Sequence, residues 1–412
     1  MRGVLLMSVS VMVIWSQSFG CTHQATVERP FTEAAAKEYK FTSGQTSSRI
    51  PFDEDDGYIF LQLRINGSAP LWFGLDTGAT HSIIDKRWAE SLGMKSESSR
   101  QIAGAGGTED AAIFKNVSIK LPGVELNNQT LWGLPLESLS SANGRQMAGI
   151  LGYELFKYFV VDIDYASNLM NLYDPAGYQY RGAGQIIPLN VQDDGEIYVT
   201  AKVQAPGGNQ IEGEFVIDTG GNRTLLLSRE FVEQHRLVES IGKTLMVRGG
   251  GVGGEIQLAM GRLKSLQLGQ FVINNPVAGF TKVGQIADAG KAGNIGGGFL
   301  MRFRVIFDYS RKRMILEPNA RLSEPDEFDM SGAALMSEGP EYSIVKVIRV
   351  RPDSPAALAG LKPLDVIIAV DGEPAKSVNR LKKLFRVERE FMLKVKRKED
   401  ILELKLKLRR LI

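Results

Sequence analysis

Two stretches of this chain repeat one pattern. Phe73-Gly74-Leu75-Asp76-Thr77-Gly78-Ala79 and Phe215-Val216-Ile217-Asp218-Thr219-Gly220-Gly221 each run an apolar segment into Asp, Thr and Gly, and the two aspartates stand 142 residues apart. A single Asp-Thr-Gly is ordinary turn composition. Two copies behind matching β-type runs predict a duplicated lobe that brings one carboxylate from each half to a common axis. Carboxylates about 3 Å apart cannot both ionise, so such a pair shares a proton and works as acid and base together. Thr77 and Thr219 offer hydroxyls that can bond across the axis. Gly78 and Gly220 let backbone approach the carboxylates and donate N–H groups to them.

The repeat extends around both motifs. Tyr58 to Ile65 reads as a strand turned by Asn66-Gly67, and Glu196 to Val203 reads as its counterpart, turned by Pro206-Gly207-Gly208-Asn209. Ile83, Ile84, Trp88 and Leu92 recur at helical spacing, as do Leu225, Phe231, Val232 and Leu237, so a short helix is expected after each motif. Glycine-rich tips follow, with Gly104, Gly106 and Gly107 in the first copy and Gly249, Gly250 and Gly251 in the second. The second tip also fits a dinucleotide-binding glycine pattern, but the residues after it are β-like rather than helical. Each copy closes on a Gly followed 12 residues later by Asp-Tyr, at Gly152 and Asp164 and at Gly296 and Asp308.

Both motifs resemble the active-site signature of retropepsin- and pepsin-type aspartic proteases, and Ile150-Leu151-Gly152 resembles the supporting segment behind their catalytic loop. The resemblance implies an aspartic endopeptidase in which Asp76 and Asp218 activate a water between them. It implies too that the glycine tips are flaps closing over a peptide or protein substrate. Ala79 and Gly221 supply no hydroxyl beside the pair, so an optimum on the acidic side of neutral but above pepsin's is expected. The rival reading is a degenerate, peptide-binding adaptor that uses the same scaffold without cutting.

Beyond Pro318 the pattern changes. Ile344 to Ile348 alternates as a strand, and Ser354-Pro355-Ala356-Ala357-Leu358-Ala359-Gly360-Leu361 is a helix opened by Pro and closed by Gly. With Asp365 to Gly372 this resembles a PDZ domain of the bacterial type. Such domains take chain ends by strand addition, and Gly332, Ala333, Ala334 and Leu335 are the candidate nest and strand for a C-terminal peptide ligand. Leu364 stands where these domains have Gly, so an altered turn is expected there. The domain lies behind a polar linker and offers the aspartates no chemical group, so it is expected to recruit substrates rather than shape the site.

Residues 1 to 20 start positive, continue apolar and end in small residues, as an export signal does. Cys21, the only cysteine, follows at a place that resembles a lipoprotein cleavage site. A lipid on Cys21 would attach the protein to a membrane in the periplasm or cell envelope, and ordinary cleavage nearby would leave it secreted. A net charge of +2 argues against nucleic acid as the main partner. The three histidines show no metal spacing, and neither a metal nor a cofactor is expected. The whole reads as mainly β, with two retropepsin-like acid-protease β-barrel lobes in tandem and an α+β PDZ domain. The boundaries are a signal at 1–20, a flexible tether at 21–50, lobes at 51–180 and 181–318, a linker at 319–329 and the PDZ domain at 330–412.

Overall fold

The computed structural model describes residues 38–42, 46–193, 195–284 and 290–412. The export-signal reading and Cys21 fall outside the described residues. In the first lobe β1 (Leu71–Leu75) delivers Asp76, β2 (Ser98–Gly104) and β3 (Gly107–Leu121) form a long hairpin, and β4 (Gly149–Leu151) lies parallel to β1. The second lobe repeats this with β5 (Gln210–Asp218), the hairpin β6 (Leu245–Gly251) and β7 (Gly254–Arg262), and β8 (Gly293–Gly296) parallel to β5. Phe73 faces Gly149 as Phe215 faces Gly293, so the duplication holds at the level of register. Gly149 has no substitute, because a Cβ there would stand 2.2 Å from the Ile83 carbonyl oxygen and from the Phe73 ring.

The expected helices begin later than their apolar spacing implies. Ile83–Asp85 is a strand, and helix α1 (Lys86–Ser91) follows it, capped by the Asp85 carboxylate on the Arg87 N–H. Helix α2 (Glu137–Asn143) ends on Gly144 at φ 62°. Leu225–Leu227 is again a strand, and α3 (Arg229–Gln234) follows, capped by Ser228. Ile83, Ile84 and Leu225 to Leu227 are buried on both faces. A short continuous apolar run of that kind fits a central strand as well as a helix, and sheet partners decide.

The closing segments leave their own lobes. Val160–Asp164 and Phe303–Asp308 pair antiparallel with each other, Val161 opposite Phe307 and Ile163 opposite Val305. Val161 is the counterpart of Val305, and Ile163 of Phe307, so the pairing is symmetric about the axis that relates the lobes. Leu169–Tyr173 and Arg313–Pro318 flank this pair, and the sheet is continued by Thr46–Asp55 and Gln185–Pro188. The tether is therefore shorter than expected. Tyr39–Phe41 pairs with Val124–Leu134, and Thr46–Asp55 crosses the proposed boundary at residue 50 as one strand. One buried core joins both lobes.

The linker is also packed rather than free. Arg302, 2% exposed, donates to the carbonyl oxygens of Arg321, Leu322 and Glu324. Asp326 accepts the Val277 N–H, and Phe328 is buried. The last domain has its own core and a sheet ordered Ala333–Glu338 (β9), Ile344–Val350, Val366–Val370, Glu390–Arg397 and Asp400–Lys407. Leu364 adopts φ 75° with its side chain 71% exposed, so the glycine-type turn is retained, not altered, and a leucine bears it. Helix α4 (Val378–Leu384) docks the domain on the first lobe. Asn379 donates to Asp55 and to the Asn143 carbonyl oxygen, Lys382 donates to the Ala142 carbonyl oxygen, and Arg386 pairs with Asp56 at 2.7 Å. Gly144 at the end of α2 sits between Val378 of α4 and Ser337 of β9.

Candidate active site

β1 and β5 end side by side, and the two Asp-Thr-Gly loops interlock. The Thr77 N–H donates to Thr219 Oγ1 at 3.0 Å, and the Thr219 N–H donates to Thr77 Oγ1 at 3.0 Å. Each hydroxyl then donates across the axis, Thr77 to the Ile217 carbonyl oxygen at 2.6 Å and Thr219 to that of Leu75 at 2.9 Å. Four reciprocal bonds in a buried setting fix one lobe against the other at the point where the aspartates emerge. Gly78 donates its N–H to Asp76 Oδ1 at 2.8 Å. A Cβ on Gly220 would stand 2.2 Å from the Asp76 carboxyl carbon, so only glycine fits there.

Asp76 is 2% and Asp218 1% exposed, and their side chains hydrogen-bond each other. Burial pushes the Asp218 carboxyl up to about 6, against the downward pull of hydrogen bonds from Asn294, the Gly220 backbone, Asp76 and the Gly221 backbone. The pair therefore holds a proton well above the usual carboxylate range, as a working acid and base at one site require. Asn294 was not singled out in the sequence. It donates to Asp218 Oδ2 at 2.8 Å, and Ile150 holds the matching place in the first lobe. The signal was a polar residue at one of two otherwise apolar equivalent positions.

The glycine tips meet. In the first hairpin Gly104 and Gly107 close a turn at Ala105-Gly106, and the Gly106 N–H donates to the Val252 carbonyl oxygen at 2.9 Å. In the second, Gly251 faces Gly254, so the turn is Val252-Gly253. Gly249 and Gly250 pair with Ile256 and Glu255 inside the hairpin, below the tip where they were expected. A Cβ on Gly106 would stand 2.2 Å from the Gly254 carbonyl oxygen, and one on Gly253 2.2 Å from Gly107. Backbone thus packs on backbone, and Val252 joins a buried cluster of the first lobe that includes Ala79 and Ile102. His81 stacks on Trp132 at 4.4 Å and is not part of the site.

The candidate peptide nest in the last domain is filled from within. Asp329 Oδ1 accepts from the Ser331 N–H and hydroxyl and from the Gly332 N–H, and Ser331 Oγ accepts the Ala333 N–H. Ala334 and Leu335 continue into β9, whose outer edge faces α2 and α4. Among the described residues no cluster of three or more His, Cys, Asp or Glu is placed to hold a metal.

The family model of aspartyl proteases matches residues 61–155 and 199–299, and that of the PDZ domain matches residues 346–397. No curated protein matches the chain. Among solved structures, the HtrA3 PDZ domain bound to a phage-derived ligand (FGRWV) is similar to 19% of this chain, over 82% of that chain, at 25% identity and a TM-score of 0.18. The matched segments contain both Asp-Thr-Gly motifs, the glycine hairpins, and β4 and β8 behind the loops. The chain carries a two-segment aspartyl protease domain followed by a PDZ domain.

Proposed function

We propose that the protein is an aspartic endopeptidase in which Asp76 and Asp218 together activate a water molecule. The observation that carries this is the buried carboxyl pair, hydrogen-bonded to itself and locked by reciprocal threonine bonds from the two lobes. With one proton on the pair, the ionised carboxylate takes a proton from water as its oxygen bonds to the peptide carbonyl carbon. The protonated carboxyl gives its proton to the carbonyl oxygen, and collapse of the adduct sends a proton to the departing amine. Because the aspartates are covered and the tips touch, a substrate must part the flaps to reach them.

The test is digestion of casein and of a peptide library across acidic and neutral pH, with and without pepstatin, by wild type, Asp76→Asn and Asp218→Asn. Cleavage by wild type alone, blocked by pepstatin, supports the reading. Peptide binding by all three with no cleavage would replace it with a binding scaffold. An export signal with a lipid on Cys21 would hold the enzyme at the cell envelope, and release of Cys21→Ser from the membrane fraction tests that part separately.

A further inference from the structure

The turn between Thr46–Asp55 and Tyr58–Ile65 is acidic, Asp53-Glu54-Asp55-Asp56, and each carboxylate meets a cation. Asp53 pairs with Arg145 of the same lobe, Glu54 with Arg321 of the linker, and Asp55 with Lys383 of the PDZ domain. Asp56 differs from the other three. It is 3% exposed and is bonded from two sides. From the PDZ domain, Arg386 reaches it with both terminal nitrogens, at 2.7 and 3.0 Å. From the second lobe, the Asn222 side-chain amide donates to Asp56 Oδ2 at 2.9 Å. Asn222 lies four residues past Asp218, at the exit of the catalytic loop.

The same turn grips the loop through its backbone. The Tyr58 phenol hydrogen-bonds the Asn222 backbone. Gly57, at φ 87°, lies against Gly297, and a Cβ there would stand 3.1 Å from the Gly297 carbonyl carbon and 3.4 Å from the Asn222 carbonyl oxygen. Gly297 donates its N–H to the Gly221 carbonyl oxygen at 2.6 Å, and the Gly221 backbone bonds the Asp218 carboxyl. Asp56 itself stands at φ 58°, a left-handed backbone that a residue other than glycine keeps only where its surroundings hold it. Loss of the cation would leave a buried carboxylate unpaired, which is costly enough to move the turn. The first loop has Thr80 at the position that matches Asn222, so the two catalytic loops differ here.

We propose that Arg386 is a positioning residue for Asp218, acting through Asp56 and Asn222, and that the PDZ domain thereby completes the active site. The role rests on the reading of Asp76 and Asp218 as the catalytic pair. Arg386 touches neither aspartate. It fixes the turn that fixes the exit of the Asp218 loop. Turnover of a peptide too short to reach the PDZ domain then depends on a residue of that domain, which recruitment of substrate alone does not explain.

The test uses the full chain and a short peptide that the wild type cleaves. Arg386→Gln should lower kcat about tenfold and leave KM within about twofold, because substrate contacts stay while a carboxylate is misplaced. Arg386→Lys, which keeps the charge, should recover part of the loss. Lys383→Gln loosens the same docking helix at Glu54 and Asp55 and should leave kcat unchanged. Asn222→Ala cuts the relay with the Arg386–Asp56 pair intact, so it serves also if Arg386→Gln does not fold. It should lower kcat to a similar extent, and the double variant should lose no more than either single one. An unchanged kcat in Asn222→Ala, an equal loss in Lys383→Gln, a rise in KM alone in Arg386→Gln, or losses that multiply in the double variant overturn the relay. Hydrogen exchange reads the same link without activity. Amides of residues 218–224 should exchange faster in Arg386→Gln than in the wild type, and unchanged rates overturn the link. If the wild type cleaves no peptide, the catalytic reading fails, and exchange alone decides whether Arg386 holds the loop.

Discussion

Asn294 donates a 2.8 Å hydrogen bond to Asp218 Oδ2, while Ile150 occupies the equivalent register position behind Asp76. The pseudo-symmetric pair is therefore chemically asymmetric. The bond favours the ionised form of Asp218 and opposes the burial that raises it.

Asn294→Leu removes that donor and copies the apolar neighbour of the first lobe. Asp218 should then rise further above 6, and the alkaline limb of kcat/KM against pH should move upward by as much as about one unit. A limb that stays in place would show that Asn294 holds position only and does not tune the proton.

Asp218→Asn should abolish cleavage yet raise stability at neutral pH. The folded pKa lies above the unfolded one, so the stabilising effect of the bound proton is complete below about pH 4 and is lost as pH rises through about 6. The amide copies the protonated form at every pH. Thermal midpoints of variant and wild type should agree at about pH 4 and diverge toward about pH 8, where the difference in unfolding free energy is no more than roughly 3 kcal/mol. Equal midpoints at the higher pH would rule out a costly buried charge.

Thr219→Val removes one acceptor and one donor from the interlock and leaves the Thr77 N–H and Leu75 carbonyl without those partners. Each buried group left unpaired costs about 1 to 3 kcal/mol, so a loss of roughly 2 to 4 kcal/mol is expected in urea unfolding. Turnover should fall with it, because Asp76 and Asp218 are placed by the same loops. Wild-type stability in this variant would mean that the lobes are held by the shared sheet alone.

Leu364→Gly should stabilise the protein by about 1 kcal/mol. The leucine sits at φ 75° with its side chain in solvent, so it bears the cost of a left-handed backbone and gains little from packing. The midpoint of denaturant unfolding measures this directly, and a loss of stability would show that the side chain makes a contact that matters.

What the sequence determined by itself was local. An apolar run ending in Asp-Thr-Gly fixes a strand, a turn and a carboxylate at its end, and its repetition fixes two lobes, so Asp76 and Asp218 were legible with their threonines. The PDZ pattern was legible for the same reason, since Pro355 and Gly360 mark its helix within a few residues. Tertiary structure decided which apolar strands met. Val160–Asp164 and Phe303–Asp308 each read as the end of a lobe, and only the two-fold axis pairs them. Alternation reports that a strand is buried on one face, but not which distant strand covers its edge. The same holds for the second flap, whose turn fell at Val252-Gly253 because its tip packs on Gly106 and Gly107. It holds also for Asn379, Lys382 and Arg386, which form the interface to Asp55, Ala142 and Asp56. A charged surface residue carries no mark of its partner until folding brings that partner close.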